Sequence, residues 1–315
     1  MTRLIPSEKS VDSTCEFYII SVLYYFSVSV TSQFLFPFTY LEQLYLSAIS
    51  KQRILIPNQY GEKLVGVLEQ VQSDNLVILC HGFQASKDDS ILVSIADALI
   101  KEEICAFRFD FAGNGESEGI FRYGHYHREV DDLRAVVSYF LNQKYNIIAI
   151  VGHSKGGNAA LLYASKYHDI PLIINMSGRF GLNHGIQGRL GKGFMQRITK
   201  HGFIDVKDKF GNFEYRVTHD SLMDRLNTDM HAASCSIPKE IRVLTIHGSK
   251  DQTVPVQDAY EFAKLIPNHK LHVIEGANHR YTEYIENLIV LVLQFIKESQ
   301  IPSPKGEKEK LISRL

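Results

Sequence analysis

Residues 147–164 contain the segment that most restricts how this chain can fold. An apolar run over 147–151 ends in Gly152-His153-Ser154-Lys155-Gly156, and a stretch rich in small residues follows. This order predicts a buried strand, a sharp turn and a helix, with Ser154 at the apex of the turn. The glycines two residues before and two residues after Ser154 suit a turn whose neighbouring segments leave no room for a side chain.

Strand-like and helix-like segments alternate along most of the chain. Apolar runs such as 76–80 predict strands buried on both faces, and amphipathic segments such as 88–102 predict the helices between them. This alternation predicts an α/β fold, with a mostly parallel, doubly wound sheet and helices on both faces. Residues 179–235 interrupt the alternation with a polar, glycine-containing stretch. We interpret that stretch as a short lid inserted between two strands.

The sequence predicts one folded domain with an extension at each end. The alternating segments fill residues 51–299, and a charged, proline-bearing tail occupies 300–315. Residues 1–50 form an N-terminal extension in which 17–41 carry no charge, a span long enough to cross a bilayer. The segment before this span lacks the basic bias of a signal or anchor. We expect a cytoplasmic protein whose extension is packed on the domain or poorly ordered, with membrane association through residues 17–41 as the alternative.

Composition excludes several classes of function. The formal net charge of -1 gives no electrostatic basis for binding nucleic acid. Neither the four cysteines nor the 13 histidines show the spacing of a metal site, and the cysteine usage favours a reducing compartment. The loop Gly113-Asn114-Gly115 lacks the full pattern of a dinucleotide-binding turn. We therefore expect no cofactor, no metal and no nucleic-acid partner, and the sequence leaves the oligomeric state open.

Two later strands are followed by the side chains that a nucleophilic serine requires. A serine hydroxyl is a poor nucleophile at neutral pH and needs a histidine base, which in turn needs a carboxylate to orient it. Asp251 and His279 follow consecutive predicted strands, so both are expected beside Ser154 at one edge of the sheet. Each of the three could instead cap a helix or start a turn. Asp258, inside the next predicted helix, is the weaker candidate for the acid.

Such a serine also needs backbone N–H groups that hold a developing oxyanion. Phe83, in the H-G-F turn after an early strand, and Lys155, directly after the serine, are the candidates. A cation at a helix N-terminus is unfavourable by about 0.3–1 kcal/mol, so the Lys155 side chain either reaches water or faces a carboxylate or an anionic substrate group. His81, His153 and His247 are expected to bond or pack against nearby loops.

Taken together, these motifs resemble the α/β-hydrolase superfamily over roughly residues 50–298. The chain looks most like the branch of serine aminopeptidases and monoacylglycerol lipases, and it is similar to small cinnamoyl (feruloyl) esterases, with many such members in plants. The resemblance rests on H-G-F, on the glycine-rich loop after Asp110, on G-H-S-K-G, on the segment ending in Pro255 and on the segment ending in His279. It implies hydrolysis of carboxylic esters through an acyl-enzyme on Ser154, as in carboxylesterases and acylglycerol lipases. Lys155 departs from the family, which more often has Gln or Met there.

Two other functions remain open at this stage. One is a peptidase or amidase of the serine aminopeptidase type, which would need acidic groups placed to hold a substrate amine. The other is a ligand-binding receptor on a hydrolase scaffold. The predicted lid suggests an apolar pocket with a charged rim, compatible with aromatic acids or medium acyl chains. Its apolar members would be Phe180, Leu182, Phe194, Met195 and Phe203, and its charged members Arg179, Arg189 and Arg197.

Overall fold

A computed structural model describes residues 50–300 of the chain. Within that range, eight strands form one sheet in the order β1-β2-β4-β3-β5-β6-β9-β10, and β7 pairs with β8 in a separate hairpin. The strands are β1 (Ser50–Pro57), β2 (Lys63–Gln70), β3 (Asn75–Cys80), β4 (Cys105–Phe109), β5 (Asn146–His153), β6 (Leu172–Met176), β7 (Phe203–Lys207), β8 (Phe213–Thr218), β9 (Arg242–Gly248) and β10 (His269–Ile274). β2 is antiparallel to both of its neighbours, and all later neighbours in the large sheet are parallel.

Helices cover both faces of this sheet, as the α/β pattern predicts. They are α1 (Ser90–Lys101), α2 (Tyr126–Asn142), α3 (Lys155–Tyr167), α4 (Ile186–Leu190), α5 (Phe194–His201), α6 (His219–Asn227), α7 (Met230–Ser236), α8 (Gln257–Leu265) and α9 (Ile285–Gln300). Side chains of α2, α3, α7 and α8 share one apolar cluster, and those of α1 and α9 share the other. β3 shows why its run is continuously apolar: Leu76 and Ile78 belong to the first cluster, and Val77 and Leu79 to the second.

The stretch between β6 and β9 contains more regular structure than its sequence suggested. It folds into short helices and the β7–β8 hairpin, and its residues Ile198, Tyr215 and Val217 share a small apolar cluster with Tyr123 from the loop before α2. The two strands are short and carry charged residues on their outer side, where Arg216 pairs with Asp205. In β8 only the alternate residues Tyr215 and Val217 are buried, so this segment is polar in composition while it retains the period of a strand.

Parallel pairing aligns the carboxyl ends of the central strands. Gly152 lies opposite Cys80, and Met176 lies opposite both His153 and Ile246. The loops that leave these strands therefore meet along one edge of the sheet, which is where polar groups gather in such folds. Among the helices of residues 50–300, none is long and apolar enough to cross a membrane. The uncharged stretch 17–41 lies outside the described residues.

Candidate active site

Ser154 lies at the apex of a strained turn between β5 and α3. Its φ of 55° and ψ of -117° are unusual for a residue with a side chain, and its N–H donates to the Met176 carbonyl at 2.7 Å. A Cβ on Gly152 would lie 2.2 Å from the Gly156 oxygen, and one on Gly156 would lie 2.4 Å from the Cys80 oxygen. The two glycines thus permit the close approach that the sequence predicted, and the turn presents the serine hydroxyl at the edge of the sheet.

Ser154, His279 and Asp251 form one chain of hydrogen bonds. The distance from Ser154 Oγ to His279 Nε2 is 3.1 Å, and the distance from His279 Nδ1 to Asp251 Oδ2 is 2.6 Å. A carboxylate can only accept, so Nδ1 carries the proton and Nε2 is left to accept from the serine hydroxyl. Three side chains separated by up to 125 positions in the sequence are therefore arranged so that the histidine can take the serine proton.

The Asp251 carboxylate is held in its ionised form by the groups around it. Oδ1 accepts the N–H groups of Thr253 and Val254, each at 2.8 Å, and Oδ2 also lies 3.3 Å from His247 Nε2. Burial opposes ionisation, but the hydrogen bonds from His247 and His279 hold the pKa of Asp251 well below its usual range. The alternative acid, Asp258, lies on α8, where its Oδ2 accepts the N–H of Phe180 at 2.9 Å.

The other histidines at this edge fix the backbone around the site. His81 Nε2 accepts the N–H of Phe111 at 3.0 Å, so its Nδ1 donates to the Gly82 carbonyl at 2.8 Å. His153 Nε2 donates to the His279 carbonyl at 2.9 Å. Burial, together with the neighbouring His279, lowers the pKa of His153 to about 4 and keeps that ring neutral. The expectation that these histidines bond to loops is confirmed.

Sequence reasoning missed the residues that secure the loop carrying His279. The Tyr281 hydroxyl donates to the Ile246 carbonyl at 2.9 Å and lies 2.7 Å from Ser177 Oγ. Arg280 forms an ion pair with Asp89, the residue that caps α1. Both contacts cross between elements that are far apart in the sequence, so no local pattern indicates them.

Two backbone N–H groups in the segments around Ser154 have no hydrogen-bond acceptor among residues 50–300. Lys155 is the first residue of α3, so its N–H has no intrahelical acceptor. In the described part of the chain, the Phe83 N–H also has no hydrogen-bond acceptor. The turn that carries Phe83 passes directly over the serine, since a Cβ on Gly82 would lie 3.2 Å from Ser154 Cβ. The two N–H groups are available to a bound oxygen atom.

The Lys155 side chain does not reach water. Its Nζ lies 2.6 Å from Glu129 Oε1 on α2, and both side chains are buried. The ammonium also lies 5.0 Å from the centre of the Tyr126 ring. Burial raises the pKa of Glu129 to about 7, although the attraction of Lys155 opposes the shift. Of the two alternatives for Lys155, the solvent-exposed one is wrong, and a nearby carboxylate offsets the charge at the helix N-terminus.

A cavity of about 60 Å³ opens beside Ser154, and its lining differs from the one expected. The aromatic part comes from Phe83, Tyr123 and Tyr126, and none of the five apolar residues proposed from the predicted lid contributes. The lining residues are Phe83, Tyr123, Tyr126, Ser154, Lys155, Asn158, Arg179, His184, Gly185, Arg189, Arg225, Thr253 and Val254.

The folded insertion places those five apolar residues away from the cavity, either in an apolar cluster or at the surface. Leu182 belongs to the main core and Phe180 packs against Phe262, while Met195 and Phe203 are exposed. Phe194 packs on the small cluster of the insertion.

The expected charged rim is partly present. Arg179 and Arg189 line the cavity, whereas Arg197 donates to the carbonyls of Leu190 and Lys192. Arg225, on α6, lines the cavity although the sequence analysis did not single it out. Nothing in its local sequence distinguishes it from a surface arginine.

Comparison with known protein families shows which family the chain belongs to. The family model described as Serine aminopeptidase, S33 matches residues 71–229, just over half of the 315 residues. The chain belongs to this family. Among curated relatives, the proline iminopeptidase PfmaB of Pestalotiopsis fici is 26% identical over 220 residues, which cover 58% of this chain and 77% of that protein. Serine aminopeptidase family membership and the geometry around Ser154 agree on a hydrolase of the esterase or peptidase type.

Solved structures show the α/β-hydrolase fold for this member of the serine aminopeptidase family. Est1E from Butyrivibrio proteoclasticus, solved with ferulic acid bound, is 24% identical with a TM-score of 0.69 and covers 78% of this chain and 98% of its own. The Pyrococcus furiosus esterase Pf2001 is 20% identical with a TM-score of 0.62 and covers 85% and 95%. At these identities the similarity concerns the fold alone. The α/β-hydrolase fold that the motifs predicted is therefore confirmed.

Within residues 50–300, no group of three or more His, Cys, Asp and Glu side chains could hold a metal ion. The glycine-rich loop after β4 closes on the buried Asp110, whose carboxylate accepts the N–H groups of Lys87 and Glu116. A Cβ on Gly115 would lie 2.3 Å from Asp110 Oδ2, so the glycine makes room for this carboxylate and the loop is structural.

Proposed function

We propose that this protein hydrolyses carboxylic esters through an acyl-enzyme on Ser154. The observation that carries the proposal is the hydrogen-bonded chain from Ser154 Oγ through His279 to Asp251. His279 Nε2 takes the hydroxyl proton as Ser154 Oγ attacks the acyl carbon. Asp251 keeps the imidazole in the required tautomer and stabilises the imidazolium. The N–H groups of Phe83 and Lys155 hold the oxyanion of the tetrahedral intermediate.

The second half of the reaction uses the same groups. Protonated His279 gives its proton to the departing alkoxide, which leaves as an alcohol. Water then attacks the acyl group on Ser154 while His279 Nε2 takes a proton from it. Collapse of this second intermediate releases the carboxylic acid and restores the serine hydroxyl.

Hydrolysis of aminoacyl substrates is the second candidate, supported by the family match and by the proline iminopeptidase relative. An aminopeptidase holds a positively charged α-amino group close to the scissile bond. The cavity beside Ser154 is lined by Arg179, Arg189 and Arg225, and none of its lining residues is acidic. This charge disfavours an ammonium group and supports ester hydrolysis over the aminopeptidase alternative.

A receptor on the same scaffold would not need the alignment of Ser154, His279 and Asp251. Aligning a buried carboxylate, an imidazole and a hydroxyl serves proton transfer and gives no obvious benefit for binding alone. The geometry therefore favours turnover over simple retention of a ligand.

We infer a cytoplasmic location from the cysteines. Cys80 and Cys105 are buried free thiols, and Cys235 is an exposed free thiol. Free thiols are typical of reducing compartments. Membrane association through residues 17–41 is the alternative, and fractionation of the full chain in low and high salt and in detergent distinguishes the two.

One experiment separates the three functions. The full chain is treated with a fluorophosphonate probe and then assayed with a series of p-nitrophenyl esters and with aminoacyl p-nitroanilides. Labelling that requires Ser154, with turnover of esters above anilides, supports the esterase. Faster turnover of the anilides would favour the peptidase, and the absence of labelling and turnover would favour the receptor.

A further inference from the structure

Three arginine side chains line the cavity beside Ser154. Arg179 follows β6, Arg189 is on α4 and Arg225 is on α6, so three separate parts of the insertion direct a guanidinium-bearing residue to one small space. Many other arginines of residues 50–300 form ion pairs with carboxylates: Arg53, Arg108, Arg128, Arg134, Arg216, Arg242 and Arg280. Among residues 50–300, no carboxylate oxygen lies within 4.0 Å of the three cavity arginines.

Arg225 is the most unusual of the three. It is only 7% exposed, its Nη1 donates to the Tyr126 hydroxyl at 2.6 Å, and its guanidinium lies 5.1 Å from the centre of the Tyr123 ring. Its Nε–H is buried and has no acceptor in the described part of the chain. A buried charged donor without an acceptor is costly, so such a group is expected where a ligand supplies the missing partner.

The other two arginines are held by neutral groups. Arg179 donates to the Thr253 carbonyl, and Arg189 lies 4.5 Å from the centre of the Phe83 ring. These contacts position the guanidinium groups without neutralising their charge. Burial lowers the pKa of Arg179, and the attraction of Asp258 only partly offsets this.

The acidic groups nearest the cavity already have other partners. Glu129 binds the Lys155 ammonium at 2.6 Å, and Asp258 accepts the N–H of Phe180. Asp224 accepts the N–H of Tyr126. Lys155 therefore has a carboxylate as its direct partner, which none of the three arginines has within the described part of the chain.

We propose that these three arginines bind a carboxylate of the substrate, so that the preferred esters carry a free carboxylate a few atoms from the scissile bond. Guanidinium groups recognise carboxylates through paired, charge-assisted hydrogen bonds. The cavity of about 60 Å³ has the volume of about two water molecules in the liquid, which suits a carboxylate on a short linker better than a long acyl chain. This inference rests on the proposed esterase activity and defines its substrate class.

The carboxylate belongs either to the acyl part or to the alcohol part of the ester, and matched substrates distinguish these. For the acyl side, monoethyl succinate is compared with ethyl succinamate, in which a neutral amide replaces the carboxylate. For the alcohol side, acetoxyacetate is compared with acetoxyacetamide. We expect kcat/KM for the charged member of one pair to exceed that of its amide by at least about tenfold. Equal or faster turnover of the amide in both pairs overturns the proposal.

Variants of the full chain test whether the arginines are responsible. In Arg189→Gln, which changes an exposed residue, the ratio of kcat/KM between the charged and neutral esters should fall about tenfold. Arg197→Gln is the matched control, because Arg197 is also exposed and in the insertion but does not line the cavity; it should keep the wild-type ratio. An unchanged ratio in Arg189→Gln and in Arg225→Lys, each with wild-type circular dichroism, overturns the proposal.

A binding measurement separates this inference from the esterase proposal. Succinate is titrated into the Ser154→Ala protein by calorimetry, with succinamide as the neutral control. Binding of succinate that Arg189→Gln weakens and Arg197→Gln does not supports the anion site even if no ester is hydrolysed. Equal binding of succinate and succinamide, or no binding of either up to 10-fold above the KM of the best ester, counts against the site while leaving ester hydrolysis standing.

Discussion

Lys155 and Glu129 form a buried ion pair directly next to the serine turn, with 2.6 Å between Nζ and Oε1. Lys155 thus has two separate roles in the proposed enzyme. In the proposed mechanism its backbone N–H holds the oxyanion, while its side chain connects the start of α3 to Glu129 on α2. Because Lys155 is paired with Glu129, the proposed recognition of anionic substrates is assigned to the arginines of the insertion.

The first prediction concerns the pH dependence of this pair. Burial raises the pKa of Glu129 from 4.5 to about 7 in the folded protein, so the folded state holds this proton more tightly than the unfolded state. The stabilisation that comes from holding Glu129 protonated in the folded state is fully present below pH 4.5, and it is lost as the pH rises through about 7. The free energy of unfolding of the wild type, relative to Glu129→Gln, should therefore fall by up to about 3 kcal/mol between pH 4.5 and 8. Urea denaturation at several pH values measures it, and a relative stability that rises with pH would contradict the assigned shift.

The second prediction concerns Ser154. Ser154→Ala should retain the fold, because the strained turn accepts a small side chain, and should lose ester hydrolysis and probe labelling. Removal of the nucleophile from such a site costs orders of magnitude, so residual activity should stay below roughly 1% of wild type. Ser165→Ala is the control, since Ser165 lies on the same helix α3 and its hydroxyl donates only to the Leu162 carbonyl. The control variant should still be labelled by the fluorophosphonate probe. Ester hydrolysis by Ser154→Ala above roughly 1% of wild type would refute the assignment of Ser154 as the nucleophile.

The third prediction separates the two candidate carboxylates. Asp251→Asn should leave inhibitor binding nearly intact but reduce kcat by about 10⁴-fold, because an amide favours the wrong tautomer of His279. Asp258→Asn should keep most of its turnover and lose stability instead, since the Asp258 carboxylate accepts the N–H of Phe180. Steady-state kinetics measure kcat of both variants, and thermal unfolding measures their stability. The reverse pattern would show that Asp258 is the acid.

The fourth prediction concerns the N-terminal extension. The sheet, the serine turn and the three hydrogen-bonded side chains all lie within residues 50–300. A protein comprising residues 50–315 should therefore fold and hydrolyse the same esters with a kcat/KM close to that of the full chain. Expression and assay of the two forms side by side tests this. An insoluble or inactive product would mean that residues 1–49 contribute to the hydrolase domain.

The sequence by itself determined the fold class and the ends of the central strands. Apolar runs that are buried on both faces and the helices between them are local patterns, so they could be read without the structure. The sequence also predicted that Ser154, Asp251 and His279 lie near one another, because parallel pairing brings the carboxyl ends of the strands before them to one edge of the sheet. The distances at which the three side chains meet came from the structure.

Only the tertiary structure decided which charges lie beside the serine. Lys155 and Glu129 are 26 positions apart and meet because α2 packs against α3. Arg179, Arg189 and Arg225 come together because three segments of the insertion pack around one cavity beside Ser154. A long polar side chain has no periodic signal of its own, so its position depends on how distant elements pack, and packing is a property of the whole fold.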